Sequence, residues 1–502
     1  MPPINLYSPF NRGDHNIMLK LSYPELLRTQ SYINGEWVDA EDGNTVDVMN
    51  PASGLPVITV ASLGANETKI AIDAAYVAGL IWRQKTAIER STVLRRWFDL
   101  MIEHQDDLAK ILTAEQGKPL AEAKGEVLYG ASYVEWYAEE AKRINGDVIP
   151  HPSNDKRLVV IKQPVGVVGS ITPWNFPNAM IARKAAPALA AGCTFVGRPA
   201  TETPLSALAL AVLAEKAGIP KGVFNIIVGA RSIGTELTTN ALVRKITFTG
   251  STPVGKLLMA QSIGTCKKMS MELGGNAPFI IFDDADVDAA IDGVMVSKYR
   301  NAGQTCVCAN RILVQEGVYD IFVEKLLERV KGFTLGDGVE ADTTVGPLIN
   351  SKAANDVQAL VSDAEQKGAK VLVGGNISTL GDCFFEPTVL VDVPVDARVF
   401  KEEIFGPVAP IFRFKSEEEA IQLANDTEFG LASYFYTRDI GRVWRVGEAL
   451  EYGIVGINEG GISNAMAPFG GVKESGNGRE GSSYGIEDYL EIKYMCMGGI
   501  DK

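Results

Sequence analysis

Short β-rich runs alternate with Ala/Leu-rich helical stretches from Leu158 to Leu273, and no other feature of the chain restricts its fold so strongly. The runs VVIKQPVGVVGSI, TFVG, FNIIV, KITFTG and MSMEL are separated by helical stretches starting at Asn178, at Pro204, near Ser232 and at Thr252. Strands joined by helices of roughly ten residues or more close right-handed βαβ units, so the expected fold class is α/β with a mostly parallel, doubly wound sheet. Ligands of such sheets bind at the carboxyl ends of the strands. Ahead of this block residues 66 to 143 read as helical, with apolar residues at helical spacing through VLRRWFDLMIEHQDDLAKIL. Behind it a second βα series runs from Ala277 to about Phe414, with helices at Val287 to Lys298 and Tyr319 to Lys331. Two series in 502 residues predict two domains. The segment GDVIPHPSNDKRLVVIKQP reads as a hairpin turning at Ser153-Asn154-Asp155, and DYLEIKYMCMG at the end alternates like an edge strand. Exposed strands of this kind suit contacts between subunits.

Charge and composition narrow the partners. Hydrophobic residues make up 46% and charged residues 22% of the chain, the profile of an ordinary globular protein. The longest weakly polar run, Ala185 to Gly197, is too short to span a bilayer, so no membrane is expected as a partner. Residues 1 to 20 carry Arg12, Asp14 and Lys20 without an apolar core and read as a loose N-terminal extension rather than a signal or transit peptide. A net charge of −14 repels phosphates and argues against nucleic acid, so any anionic ligand needs local cations. Six cysteines without a paired framework point to a reducing cytoplasm.

Two strand ends carry cofactor signals. FTGSTPVG follows the strand KITF and opens a helix, with Gly250 and Gly255 framing four residues. A glycine there lets the backbone approach a pyrophosphate, and the helix N-terminus supplies free N–H groups, although the same spacing serves as a plain turn. RPATETP, at the end of the neighbouring strand, offers Arg198 and Thr201. Such an arginine is either solvated or a ligand for a ribose or its 2′-phosphate.

The stretch RNAGQTCVCANR sets Cys306 and Cys308 one residue apart in a polar turn. Zinc needs four ligands, and with three histidines and no second cysteine pair a metal site is not expected. A disulfide between i and i+2 is strained, and apolar filling suits a core strand better than Gly303-Gln304-Thr305. The remaining candidate is a nucleophile. A free thiol is only ~3% ionised at pH 7, so it needs an activating environment and a base. No histidine lies in a motif, which leaves Glu272 of MELGG as the candidate base or as a solvated strand-end residue. Asn175 of PWNFP is either part of a rigid turn or an oxyanion donor.

In this order, PWNFP (173–177), FTGS (248–251), ELGG (272–275), GQTC (303–306) and EEIFGP (402–407) resemble the aldehyde dehydrogenase superfamily, over a similarity that runs from about Ser31 to the C-terminus. GQTCVCANR, NDTEFGLASYFYTRD, EYGIVGINEG and YGIEDYLEIKYMC are similar to its succinate-semialdehyde dehydrogenases. The resemblance implies a Rossmann-like cofactor domain (21–143 and 164–275), an α/β catalytic domain (276–480) and a β-strand oligomerisation arm (144–163 and 481–502), in a homodimer or homotetramer.

It also implies roles. Cys306 attacks the aldehyde to give a thiohemiacetal, Asn175 and the Cys306 backbone N–H hold the oxyanion, a hydride passes to a nicotinamide, and Glu272 activates water to hydrolyse the thioester. Thr172, Pro173, Trp174, Lys184, Arg198, Thr201, Gly250, Ser251, Gly255, Leu273, Glu403 and Phe405 are implied in cofactor binding. Arg183, Arg300 and Ser463 are implied around the distal carboxylate of a semialdehyde, where an ion pair at 4 Å contributes about 4 kcal/mol at an effective dielectric near 20, and Phe469 is implied in substrate binding. Cys308 corresponds to a cysteine that in close relatives can bond to the nucleophile under oxidation.

The family usually has Lys where this chain has Arg198, and NAD-preferring members often carry Glu where Thr201 stands. Thr201 would not repel a 2′-phosphate, so NADP is the expected preference, with NAD accepted. Retention of Glu272 disfavours a CoA-acylating relative, and retention of Cys306, Glu272 and Asn175 together disfavours a non-enzymatic member. Glutarate semialdehyde is the alternative substrate, because a pocket discriminates one methylene by only about 1 to 3 kcal/mol.

Overall fold

A computed structural model describes residues 19–501, so all but the last two residues of the expected N-terminal extension lie outside the described residues. The first sheet has eight strands. Its parallel members lie in the order Lys268–Glu272, Val243–Thr249, Val167–Ile171, Thr194–Arg198, Phe224–Ile226. The winding reverses at Val167–Ile171: the chain leaves this strand towards Thr194–Arg198 on one side and later returns to Val243–Thr249 on the other. The PWNFP and FTGS segments emerge from the carboxyl ends of the two strands flanking that switch, where a doubly wound sheet opens a crevice.

Every residue of Val167–Ile171 is buried, as expected of a strand covered on both faces. The helix Pro177–Ala191 is buried along its whole length, and helix Leu205–Ala217 along most of it. Both are rich in alanine, whose small side chains let them lie close to the sheet beneath helices Ala87–Glu103 and Leu120–Glu140. The expected helical block at 66 to 143 is present as four helices from Ala65 to Glu140 and a final 3-10 turn. The second of these starts in a capping box in which Thr86 and Glu89 each accept from the other's backbone N–H.

Three points differ from the sequence reading. The run VVIKQPVGVVGSI is two strands, Lys156–Pro164 and Val167–Ile171, in different sheets. Pro164 has no N–H to continue a ladder, and the chain turns just after it. Short strands at Ser31–Ile33 and Glu36–Val38 extend the first sheet, and Thr45–Met49 pairs with Pro56–Ala61 as a separate ladder. The second series continues past Phe414 through Ala432–Tyr436 and Ile454–Ile457, making a seven-stranded sheet that is parallel except for Lys370–Val373.

After building the second sheet the chain returns to the first, where Gly476–Asn477 pairs antiparallel with Lys268–Glu272. This return brings the last Gly-rich segment over the site. The hairpin at 153 to 155 forms as expected, joining Asp147–Ile149 to Lys156–Pro164, and Leu490–Gly498 pairs with the latter along nine residues. The resulting three-stranded sheet stands out from the body, with Val148, Ile492 and Tyr494 each more than half exposed. Among the described residues no helix is long and apolar enough to cross a membrane.

Candidate active site

Cys306 is presented by a backbone turn that few sequences adopt. Asn301, Ala302 and Gly303 follow one another at φ +54°, +52° and +75°. Left-handed backbone costs about 1 kcal/mol or more for each residue with a Cβ, so the surroundings must impose it. They do so through buried amides: Gln116 Nε2 donates to Asn301 Oδ1 at 3.0 Å, Glu122 accepts from Asn301 N at 2.8 Å, and Gln304 Oε1 accepts from Ile349 N at 2.9 Å. A Cβ on Gly303 would lie 2.1 Å from the carbonyl oxygen of Gly406. Gly303→Ala is therefore expected to cost about 2 kcal/mol or more, seen as a lower melting temperature together with lost turnover. An alanine variant with unchanged melting and turnover contradicts this account of the turn.

Asn175 is fixed to the same turn. Its Nδ2 donates to the backbone carbonyl of Gln304 at 3.0 Å, and the Asn175 backbone carbonyl accepts from Asn301 Nδ2 at 2.9 Å and Lys118 Nζ at 2.8 Å. One amide hydrogen on Nδ2 is left for another acceptor. Glu126 pins the following helix by accepting from Asn178 N and Ala179 N, and pairs with Lys118 at 2.5 Å.

Asn175 and Cys306 line one cleft of about 260 Å³ above the strand switch, with Pro173, Trp174, Gly250, Ser251, Leu273, Glu403 and Phe405, all expected on the cofactor side. Thr249 and Gly274, which sequence reasoning missed, complete the wall. Trp174 and Phe405 meet edge to face at 5.5 Å between centroids. Burial pushes the Glu403 carboxyl up to about 8, opposed by the N–H of Gly275, which donates to it at 3.2 Å, and by Lys298.

The donor set suits a dinucleotide. The hydroxyls of Thr172 and Thr249 are buried with no partner among the described residues, and helix Thr252–Ser262 begins with no side-chain cap on its free amides. Thr172 lies just behind the wall, its N–H donating to Arg198 O at 3.1 Å. Arg198 ends its strand half-buried, with Nη2 donating to Gly229 O at 3.0 Å, and Thr201 stands half-buried in the turn beyond. Gly255 has a different part from the one expected. It sits inside the helix, where a Cβ would meet Leu273 Cδ2 at 2.4 Å, so it lets helix and cleft wall pack.

Behind Cys306 lies a buried charged cluster. Glu272 is 3% exposed, and among the described residues neither carboxylate oxygen has a hydrogen-bond partner. Burial drives its carboxyl well up and Glu480 adds to this, against Arg183, Lys184 and Arg479. Glu480 is itself buried between Arg183, whose Nε is 2.5 Å from Oε2, and Lys184, which pairs with Oε1. These two cations outweigh burial and hold the Glu480 carboxyl below its ordinary range.

Two expectations change here. Lys184, expected to bind cofactor, is fully buried and committed to Glu480. Arg183, expected to face a substrate carboxylate, already has that charge matched through the Nε contact with Glu480, donates Nη1 to Tyr129 at 3.2 Å and stacks on Phe469 at 4.3 Å, while Nε and Nη2 have no hydrogen-bond acceptor among the described residues. Glu480 went unnoticed in the sequence because it lies in the Gly-rich tail; its only signal is a lone acid two residues after Gly478.

Arg300 and Ser463 do come together, on a narrow groove with Thr305, Val307 and Tyr434 that holds about 10 Å³. Arg300 also lies 5.2 Å from the Phe176 ring. Cys306 is part-exposed along the cleft, yet burial of its surroundings pushes the thiol up to about 12, with Arg183 opposing and Glu272 and Glu403 adding. Cys308 is buried, free, and donates to Lys298 O at 3.1 Å.

The chain matches the aldehyde dehydrogenase family over residues 37–495. It is 63% identical to the glutarate-semialdehyde dehydrogenase of Pseudomonas aeruginosa over 96% of this chain and 100% of that one. It is likewise 63% identical to an NADP-dependent succinate-semialdehyde dehydrogenase of Escherichia coli, over 96% and 100%. A crystal structure of an E. coli NADP-dependent enzyme superposes with a TM-score of 0.95 at 62% identity, covering 95% of this chain and 100% of that one. With the family model matched over most of its length and full-length relatives at 63% identity, the chain belongs to the aldehyde dehydrogenase family.

Proposed function

We propose that the protein oxidises succinate semialdehyde to succinate, using NADP in preference to NAD, with glutarate semialdehyde as the alternative substrate. One observation carries the reading: Thr305 and Cys306, consecutive in the chain, line the Arg300 groove and the dinucleotide cleft respectively. A carbonyl carbon at Cys306 thus has a cation on one side and a cofactor-shaped space on the other. Relatives named for succinate and for glutarate semialdehyde support an aldehyde with a distal carboxylate.

In this reading the Cys306 thiol gives up its proton to solvent water in the cleft as Sγ bonds to the aldehyde carbon and the C=O π electrons move to oxygen. The free Nδ2 hydrogen of Asn175 and the Cys306 N–H hold the oxygen as it becomes negative, a contribution of roughly 3 kcal/mol for one donor of this kind. Bound nicotinamide supplies the hydride acceptor, and Trp174, Gly250, Ser251, Leu273, Glu403 and Phe405 would hold the dinucleotide. The thioester left on Cys306 is then hydrolysed by water that Glu272 deprotonates, a task for which a raised carboxyl pKa matches the base to its work. Arg198 and Thr201 favour a 2′-phosphate through charge and the lack of a repelling carboxylate at 201. Cys308 is retained as the partner for an oxidation switch.

The exposed arm sheet, with its apolar outer residues, suits a homodimer or homotetramer. Six unpaired cysteines suit a reducing cytoplasm.

The test is a steady-state panel of succinate, glutarate and uncharged semialdehydes against both cofactors, in wild type and Arg300→Ala. Arg183→Ala is less informative, since it strips Glu480 of one of its two cationic partners. Loss of a charge-assisted hydrogen bond should raise KM for succinate semialdehyde roughly 10- to 100-fold and leave an uncharged aldehyde nearly unaffected. Equal losses for charged and uncharged aldehydes contradict the carboxylate role.

A further inference from the structure

We infer that Arg231 is a second cation for the 2′-phosphate of NADP, facing Arg198 across the ends of the strands Thr194–Arg198 and Phe224–Ile226. The inference rests on the proposed NADP preference and adds a residue from a different loop to it.

Arg198 does not stand alone at its strand end. Its Nη2 donates to the carbonyl of Gly229, so its guanidinium is tied to the turn that leads from Phe224–Ile226 into helix Ser232–Thr239. Arg231 is in that same turn, two residues beyond Gly229, and is exposed.

The backbone there is rigid. Leu63 N donates to Val228 O at 2.8 Å and Ala230 N to Leu63 O at 3.0 Å. Gly229 takes φ +144°, and a Cβ on it would lie 2.3 Å from Leu63 O, so only glycine allows this close approach. Gly234 N then closes the first helical turn onto Arg231 O at 3.0 Å. Arg231 is therefore a long, free side chain on a fixed root beside a half-buried guanidinium.

The two charges feel one another. Burial holds the Arg198 guanidinium below its ordinary value, Arg231 adds to that, and Glu202 opposes it. Arg198 therefore has the exposed carboxylate of Glu202 as an opposing charge and Arg231 as a like charge, in a chain of net charge −14. An anion with two negative charges relieves that repulsion, whereas a ribose hydroxyl does not. Arg231 is thus placed to discriminate between the two cofactors rather than to bind what they share.

The experiment is calorimetric titration of the full-length protein with 2′,5′-ADP and with 5′-AMP, in wild type, Arg231→Ala and Arg231→Glu. These ligands report the subsite without turnover. Wild type should bind 2′,5′-ADP at least tenfold more tightly than 5′-AMP. Arg231→Ala should weaken 2′,5′-ADP roughly tenfold, Arg231→Glu more, and both should leave 5′-AMP within about twofold, as expected for one screened charge contact. Melting temperatures should not move, because the side chain is exposed.

If wild type itself fails to favour 2′,5′-ADP, the NADP reading falls and this inference with it. If wild type favours 2′,5′-ADP and Arg231→Ala keeps the full preference, or loses both ligands equally, the role of Arg231 is wrong while the NADP reading stands.

Discussion

Cys306→Ser is expected to lower kcat for aldehyde oxidation by roughly a thousandfold or more while leaving cofactor affinity, read by nicotinamide fluorescence, close to that of wild type. The asymmetry follows from the geometry. Cys306 touches the cleft at one point, and the proposed dinucleotide contacts are carried by Trp174, Gly250, Ser251, Glu403 and Phe405. A serine hydroxyl is a much weaker nucleophile than a thiol, which already needs help when burial lifts it to about 12. Replacing the proposed nucleophile by so weak a one nearly closes the covalent route while leaving the binding surfaces intact, a loss that mutational dissection of other covalent enzymes puts at several powers of ten. A serine variant with substantial turnover contradicts covalent catalysis at this position.

Glu272→Gln should separate the two halves of the reaction. The amide is nearly isosteric but cannot take a proton, so the first half-reaction should run once and stop at the thioester. One equivalent of reduced cofactor per subunit should appear in a burst, followed by a steady rate lower by roughly 10²- to 10⁴-fold. The pH dependence gives an independent sign. Burial and Glu480 hold the Glu272 carboxyl well above its ordinary value, so the base form is scarce at low pH and fills as pH rises. Wild-type turnover limited by hydrolysis should climb with pH through that ionisation, and the Gln variant should lack the climb. A Gln variant with neither a burst nor a flattened profile removes Glu272 from the role of base.

Much of this site could be read from the chain because its parts are local. Strand-to-helix turns such as PWNFP and FTGS have compositions that report backbone shape, and the sheet carries them to one crevice by a winding rule rather than by particular contacts. What could not be read depends on long-range pairing. Nothing near Arg183 or Lys184 announces that both will meet Glu480, almost 300 residues later, through a two-residue strand that returns to the first sheet. The arginine therefore looked free for substrate when it is largely matched already.

Gly255 resembled half of a phosphate turn because glycine spacing is the same whether a ligand or a leucine comes close; only the neighbour Leu273 distinguishes the two. The left-handed pair Asn301-Ala302 was invisible for a related reason. Asparagine hints at such a backbone but alanine does not, and the conformation is imposed by Gln116, Glu122 and Gln304. The short strands before residue 62 escaped because three to six residues give too little alternation to stand out.

The most direct test of covalent capture at Cys306 is mass spectrometry of Glu272→Gln, acid-quenched after mixing with succinate semialdehyde and NADP. One succinyl group per subunit is expected, mapped to the peptide containing Cys306 and absent when cofactor is left out. A quenched protein with no adduct, or with the adduct on another residue while reduced cofactor has formed, contradicts covalent capture there.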